Sequence, residues 1–241
     1  MRTSFSDQFF KTLDAAHAGV VGVSARIQEE AQLPAILPEW FAALWHVIRA
    51  TETTLRRCVE RLEACAGDTF EQGLLAFYRH KLVDEADHDA WLLADLAHVG
   101  MTRASLDRTL PAAPITALVG SQSYLIDYVH PAAYLGYLCL LEGYMMDAPQ
   151  LETLVRESGA PREAFATVAF HATEDILHRK DLERILAAVP EDAFLRRAIL
   201  ANGIRCTAFV CQALEDMLAR ACAREPGSAG AVRPATAACA S

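Results

Sequence analysis

The sequence predicts an all-α fold, a single domain of seven helices, on three observations. Apolar residues recur at helical spacing from Ser6 to about Arg224, no run alternates convincingly at period two, and helix start and stop residues separate the periodic stretches. The first helix, Ser6–Gln28, is amphipathic. Pro38 suits a first helical turn and opens the second, PEWFAALWHVIRATETTLRRCVERLEAC, which runs to about Ala66. Asp68 and Thr69 cap the third, TFEQGLLAFYRHKLVDEADHDAWLLADLAHVG, which stops at Gly100. A loop with Pro111 and Pro114 precedes ITALVGSQSYLIDYV. His130–Pro131 breaks that helix, with His130 suited to a cap, and AAYLGYLCLLEGYMM follows. Pro161 opens the sixth helix, which ends near Pro190, and the seventh covers Asp192 to about Arg224. The helical domain is thus expected over residues 1–224. Residues 225–241, EPGSAGAVRPATAACAS, are small, Gly/Pro-rich and patternless, and are expected to be a disordered tail.

Composition narrows the function. The chain of 241 residues is 53% hydrophobic, enough for a sizeable core, and carries a net charge of −9. That charge, with no basic stripe, argues against nucleic acid or an anionic membrane as partner. Seven cysteines show no C-x-x-C pair and mostly sit in apolar helical surroundings, as reduced packing residues do. MRTSFSDQFF lacks the apolar core and cleavage site of an export signal. The most apolar late stretch, ILANGIRCTAFV, is broken by Asn202 and Arg205. The expectation is a soluble, cytoplasmic protein.

The chemistry gathers on faces that periodicity marks for burial. Glu142 is flanked at helical spacing by Leu135, Leu138, Cys139, Met145 and Met146, and Glu52 by Trp45, Ile48, Leu55 and Val59. A buried carboxylate costs several kcal/mol unless it is paired or binds a metal. Glu85 and His88 form an E-x-x-H pair, and Asp175 and His178 a D-x-x-H pair, with His171 on the same stripe. Glu52 to Glu85 and Glu142 to Asp175 are both intervals of 33 residues. Each half of the chain therefore offers an isolated acid and an acid–imidazole pair, the ligand inventory of a dinuclear iron or manganese site in a helical bundle. The competing reading is buried salt bridges, with Arg49, Arg56 or Arg179 neutralising the acids. Tyr124, Tyr128, Tyr134 and Tyr144 lie on helices leading to or holding Glu142, and are pocket candidates or ordinary core aromatics. Arg205, in an apolar setting, could hold a substrate carboxylate or a structural acid.

Three passages, DEADHDAWLLADL (84–96), HPAAYLGYLCLLEGYM (130–145) and HATEDILHRKDL (171–182), resemble the heme-oxygenase-like di-iron oxidases, also known as iron-containing redox enzymes. The likeness spans roughly residues 38–190. It implies a heme-oxygenase-like bundle and metal ligands at Glu85, His88, Glu142, His171, Asp175 and His178. Glu52 matches an extra carboxylate used by some members, and no catalytic residue beyond the ligands is implied. His171 separates this pattern from the ferritin one. The implied cofactor is a pair of Fe(II)/Fe(III) ions with O₂ as co-substrate. The implied partners are a small-molecule substrate, an external electron donor and a second copy of the chain in a homodimer. The expected activity is O₂-dependent oxidation of a small carboxylate-bearing metabolite in specialised metabolism, an amino acid before a fatty acid, with Tyr134 and Arg205 as substrate contacts. Two alternatives come from other classes: a thiaminase-like hydrolase, for which Cys139 is the one cysteine near the ligands, and a non-catalytic metal-binding protein.

Overall fold

The computed structural model describes residues 4–65, 67–144 and 146–224, with the side chains of residues 174–177 excepted. The expected tail, residues 225–241, lies outside the described residues. The described chain holds ten α-helices and no strand: α1 (Phe5–Glu29), α2 (Leu33–Glu63), α3 (Thr69–Asp84), α4 (His88–Ala97), α5 (Arg103–Asp107), α6 (Ala113–Tyr128), α7 (Leu135–Leu141), α8 (Ala148–Ser158), α9 (Ala166–Ala187) and α10 (Ala193–Cys222). Single 3-10 turns, Pro131–Tyr134 and Arg162–Phe165, lead into α7 and α9. None of these helices is long and apolar enough to cross a membrane.

The all-α expectation holds, and the count of seven does not. The expected third helix is two, because the backbone turns at Glu85–Asp87 and Asp87 takes a left-handed φ of 63°. Aspartate tolerates that conformation better than most residues, and three of them (Asp84, Asp87, Asp89) crowd this stretch. α8 has a full set of signals: an Asp147–Gln150 capping box, Pro149 in its first turn and Gly159 left-handed at its end. Short α5 has a Thr102–Ser105 capping box. α2 starts at Leu33, so Pro38 stands inside the helix. His130 caps the 3-10 turn as its position suggests, its Nδ1 accepting from the Ala132 N–H at 3.1 Å.

Two apolar clusters form the core. The larger gathers Phe9 and Leu13 of α1, Leu55 and Cys58 of α2, Leu74 and Tyr78 of α3, Leu138 of α7, Leu182 and Leu186 of α9, and Ile199 of α10. The smaller gathers Phe41 and Trp45 of α2, Leu92 and Leu96 of α4, Leu151 of α8, and Phe165 and Val168 at the start of α9. Burying each such side chain contributes about 1.5–3 kcal/mol. The chain crosses between the clusters at two places that matter. The α3–α4 turn lies between Tyr78 and Leu92, and the middle of α9 lies between Val168 and Leu182. Polar side chains collect at those crossings, in a seam between the two cores.

Helix contacts hold the seam's walls. α7 crosses α10 so closely that a Cβ on Gly136 would lie 2.3 Å from the Ile199 carbonyl oxygen and 2.6 Å from the Gly203 nitrogen. Only glycine permits that approach. Asn202 of α10 donates at 2.8 Å both to the Gln122 side chain of α6 and to the Ala133 carbonyl. The N-terminus of α9 has no local side-chain cap. Asp95 of α4 supplies one from across the fold, accepting from the Thr167 N–H at 2.6 Å.

Candidate metal centre

The seam holds two adjoining groups of polar side chains. The first is Glu85, His88 and His171. Glu85 caps the end of α3 and His88 is the first residue of α4, so the turn between them aims both inward. The Glu85 Oε2 and His88 Nδ1 atoms are 3.0 Å apart, and the His88 and His171 rings meet edge to face at 4.9 Å. The three residues each offer a ligand atom, all within 4.8 Å of one another. Glu85 and His88 are buried and His171 is half-buried. Trp91 and Phe170 flank His88 at ring separations of 4.6 and 5.8 Å and face the surface.

The second group is Lys81, Glu142 and His178. Glu142 ends α7, and Lys81 lies on the last turn of α3, its side chain only 1% exposed. Lys81 Nζ donates to Glu142 Oε2 at 2.6 Å, and His178 Nδ1 stands 3.4 Å from the same oxygen. Arg179, beside His178, donates to the Gly143 carbonyl at 3.0 Å and lies over the Phe10 ring at 3.5 Å, which pins the end of α7 between α9 and α1.

Charge and burial oppose each other here. Burial alone would raise the Glu85 carboxyl, but the His88 hydrogen bond and the nearby His88, His171 and Lys81 charges outweigh it and hold the acid below its ordinary range. Burial dominates for Glu142 and pushes it up to about 7 against the pull of Lys81. Two atoms of the seam, His88 Nε2 and Glu142 Oε1, are buried without a hydrogen-bond partner among the described residues. A buried polar atom left so costs about 1–3 kcal/mol, and an absent ligand commonly explains it.

Five of the expected site residues therefore meet in this seam: Glu85, His88, Glu142, His171 and His178. Asp175 falls among the side chains that are not described. Glu52 does not join them. Its side chain is 44% exposed and pairs with Arg56 at 2.6 Å, the neutralised-acid alternative, because its face of α2 turns outward. Arg205 is exposed on α10 and is corrected as a pocket residue: the apolar neighbours that suggested burial lie on the other side of the helix, where Cys206 and Thr207 are buried. Tyr134 is fully buried, stacked on Tyr137 at 5.1 Å, with its hydroxyl unpartnered among the described residues. Tyr124 and Tyr128 are exposed, and Tyr144 donates to Asp14 at 2.6 Å. Lys81 is the residue the ligand pattern passes over. Its signal is the stripe Leu74, Tyr78, Lys81, Glu85, which puts one of only three lysines of the chain on the buried face of α3.

Two histidines and one carboxylate form a donor set suited to non-haem Fe(II) with coordination positions left open. The set fits such an ion on two observations of this site: the clustered ligand atoms and a buried His88 Nε2 with no hydrogen-bond partner among the described residues. Fold and donors thus describe an all-helical protein with a candidate His/Glu metal site. The family model for iron-containing redox enzymes matches residues 38–209, and the chain belongs to that family. Two crystal structures share the fold at low identity. One is a domain of unknown function with a heme oxygenase-like fold from Shewanella denitrificans OS217. It has a TM-score of 0.59 and 16% identity, over 89% of this chain and 96% of that one. The other is a TenA homolog from Pseudomonas syringae pv. tomato DC3000. It has a TM-score of 0.71 and 13% identity, over 89% of this chain and 93% of that one. No curated protein matches the chain in sequence.

Proposed function

We propose that this chain is an O₂-using non-haem iron oxidase or oxygenase of a small organic metabolite. The observation that carries this is the Glu85–His88–His171 cluster, with ligand atoms within 4.8 Å in a seam between two apolar cores. Glu85 would serve His88 as well as the metal. Its contact with Nδ1 orients the ring and presents Nε2, an arrangement that raises ligand basicity and holds geometry. Iron bound there would supply electrons to O₂, and the surrounding apolar side chains would exclude water from the reaction. The pair of irons expected from the sequence would need Glu142, His178 and Asp175 for its second member.

Amino acids are the first substrates to try and fatty acids the second. Exposed Arg205 does not anchor their carboxylate in this reading, and the Trp91–Phe170 edge is the side from which His88 and His171 can be approached. The hydrolase alternative is disfavoured by its own nucleophile. Cys139 is fully buried and its thiol is pushed well above the ordinary range, so the thiolate it would need is suppressed.

The test is anaerobic loading with Fe(II), followed by O₂ uptake with a panel of amino and fatty acids. Substrate-accelerated O₂ consumption, lost in His88→Ala and His171→Ala, is the expected result. Iron-loaded protein that no candidate stimulates would leave only the non-catalytic reading, and undiminished iron binding in both variants would refute the site.

A further inference from the structure

We infer that the Lys81 ammonium is a built-in cation occupying the place a second metal ion would take, so that this chain binds one transition-metal ion rather than two. The inference rests on the proposed iron-binding role of Glu85, His88 and His171. Lys81 stands between the two acids of the seam: one turn from Glu85 on its own face of the helix, and 2.6 Å from Glu142 Oε2 on α7. Its charge is felt at both carboxylates. The oxygen it engages is also the one nearest His178 Nδ1, so the ammonium and a metal held by Glu142 and His178 would compete for the same point.

Neither group can readily give way. Lys81 is fully buried, and a charge this deep is costly to leave without its counter-ion. A divalent ion entering beside it would face a like charge a few ångströms away in a medium that screens poorly. On the other side of the seam the Glu85 carboxylate faces a ligand-type ring instead, its Oε2 lying 3.0 Å from His88 Nδ1. Among the described residues His88 Nε2 has no hydrogen-bond partner, while Glu142 keeps only Oε1 open because its Oε2 is already engaged by the ammonium. The two halves of the seam therefore differ in kind: one solicits a metal, and the other carries its cation in the sequence.

The experiment is metal stoichiometry, read by elemental analysis after anaerobic Fe(II) loading and desalting, on the native chain and on Lys81→Met. The expected values are about one ion per native chain and about two in Lys81→Met, where the freed Glu142 and His178 can act as ligands. Lys81→Arg, which keeps the cation, stays at about one. About two ions in the native chain, or about one in Lys81→Met, overturns the inference while leaving the iron-binding reading intact. No bound ion in the native chain overturns that reading instead. Because Lys81→Met leaves Glu142 unpaired and can fail to fold, electron paramagnetic resonance of the Mn(II)-loaded native chain decides the matter without a variant. An isolated Mn(II) signal is expected, and a spin-coupled pair overturns the inference.

Discussion

Two buried polar groups of this protein invite comparison: the knot that ties α6, α7 and α10 together, and the seam that holds the candidate metal centre. In the knot, the Gln122 amide donates to the Leu118 carbonyl at 2.8 Å and accepts from Asn202, while Asn202 donates also to the Ala133 carbonyl. The Cys206 thiol completes it against the Asn202 oxygen at 3.4 Å. The buried part of the seam, Lys81, Glu85, His88 and Glu142, leaves His88 Nε2 and Glu142 Oε1 without a hydrogen-bond partner among the described residues and gathers charge as well. A satisfied network stabilises and specifies a fold, and an incomplete one of similar depth needs something else to complete it. Side-chain chemistry separates them too, neutral amides in the one and ionisable groups in the other. The comparison predicts that damage to the knot lowers stability without touching metal binding, and that damage to the seam does the reverse.

The largest effect tests the knot. Gly136→Ala would place a methyl group against the backbone of Ile199 and Gly203, which cannot move aside as a flexible side chain would. It should destabilise the chain by roughly 3 kcal/mol or more in urea unfolding, with the folded fraction still binding iron at native affinity. A loss below about 1 kcal/mol would mean that the α7–α10 crossing yields more easily than its geometry implies.

The seam breaks the other way. His88→Ala should weaken Fe(II) binding at least ~100-fold, yet change the metal-free unfolding midpoint little, since its ring packs against Trp91, Phe170 and His171, none of them a member of either core cluster. An unfolded His88→Ala chain would make the histidine structural and erase the contrast with Asn202. Lys81→Met/Glu142→Leu sharpens it further. Replacing a buried ion pair by apolar groups of similar volume is often neutral or stabilising by about 1–4 kcal/mol, so the double variant should melt at or above the metal-free native chain. Melting well below it would show that the pair holds the seam together.

Asp95 belongs to neither group and tests whether the seam's frame matters to it. Its carboxylate is the tertiary cap of α9, the helix carrying His171 and His178. Asp95→Ala should cost about 1–2 kcal/mol of stability and weaken metal binding only modestly, through the position of α9.

These contrasts also show what was legible before the fold was known. The helical class, the cap at Asp68 and the stripes that pair Glu85 with His88 and His171 with His178 follow from period and spacing, which are local properties, whereas their meeting with Glu142 was an implication of the family resemblance. α8 was legible too, since Asp147, Pro149 and Gly159 all signal it. The α3–α4 turn was harder, marked by aspartates but by no proline or glycine. Asp95 capping a helix that begins 71 residues later, and Lys81 neutralising an acid 61 residues away, are long-range pairings. No period within a single helix reveals them.

Glu52 supplies the smallest effect and the sharpest control. Spacing makes it equivalent to Glu142: an acid among apolar neighbours, 33 residues ahead of a partner acid. In the fold the two diverge. Glu142 is 6% exposed and paired with a buried lysine, whereas Glu52 is 44% exposed and paired along its own helix with Arg56, itself 56% exposed. A solvent-screened pair four residues apart on a helix contributes about 0.3–0.5 kcal/mol. Glu52→Gln should therefore leave stability within about 0.5 kcal/mol of native and leave Fe(II) affinity and stoichiometry unchanged, measured in the same titration as His88→Ala. A loss of bound iron in Glu52→Gln would return that residue to the metal centre and require α2 to rotate when metal enters. An unchanged titration would leave burial, rather than spacing along the chain, as the property that distinguishes an acid of the seam from an acid of the surface.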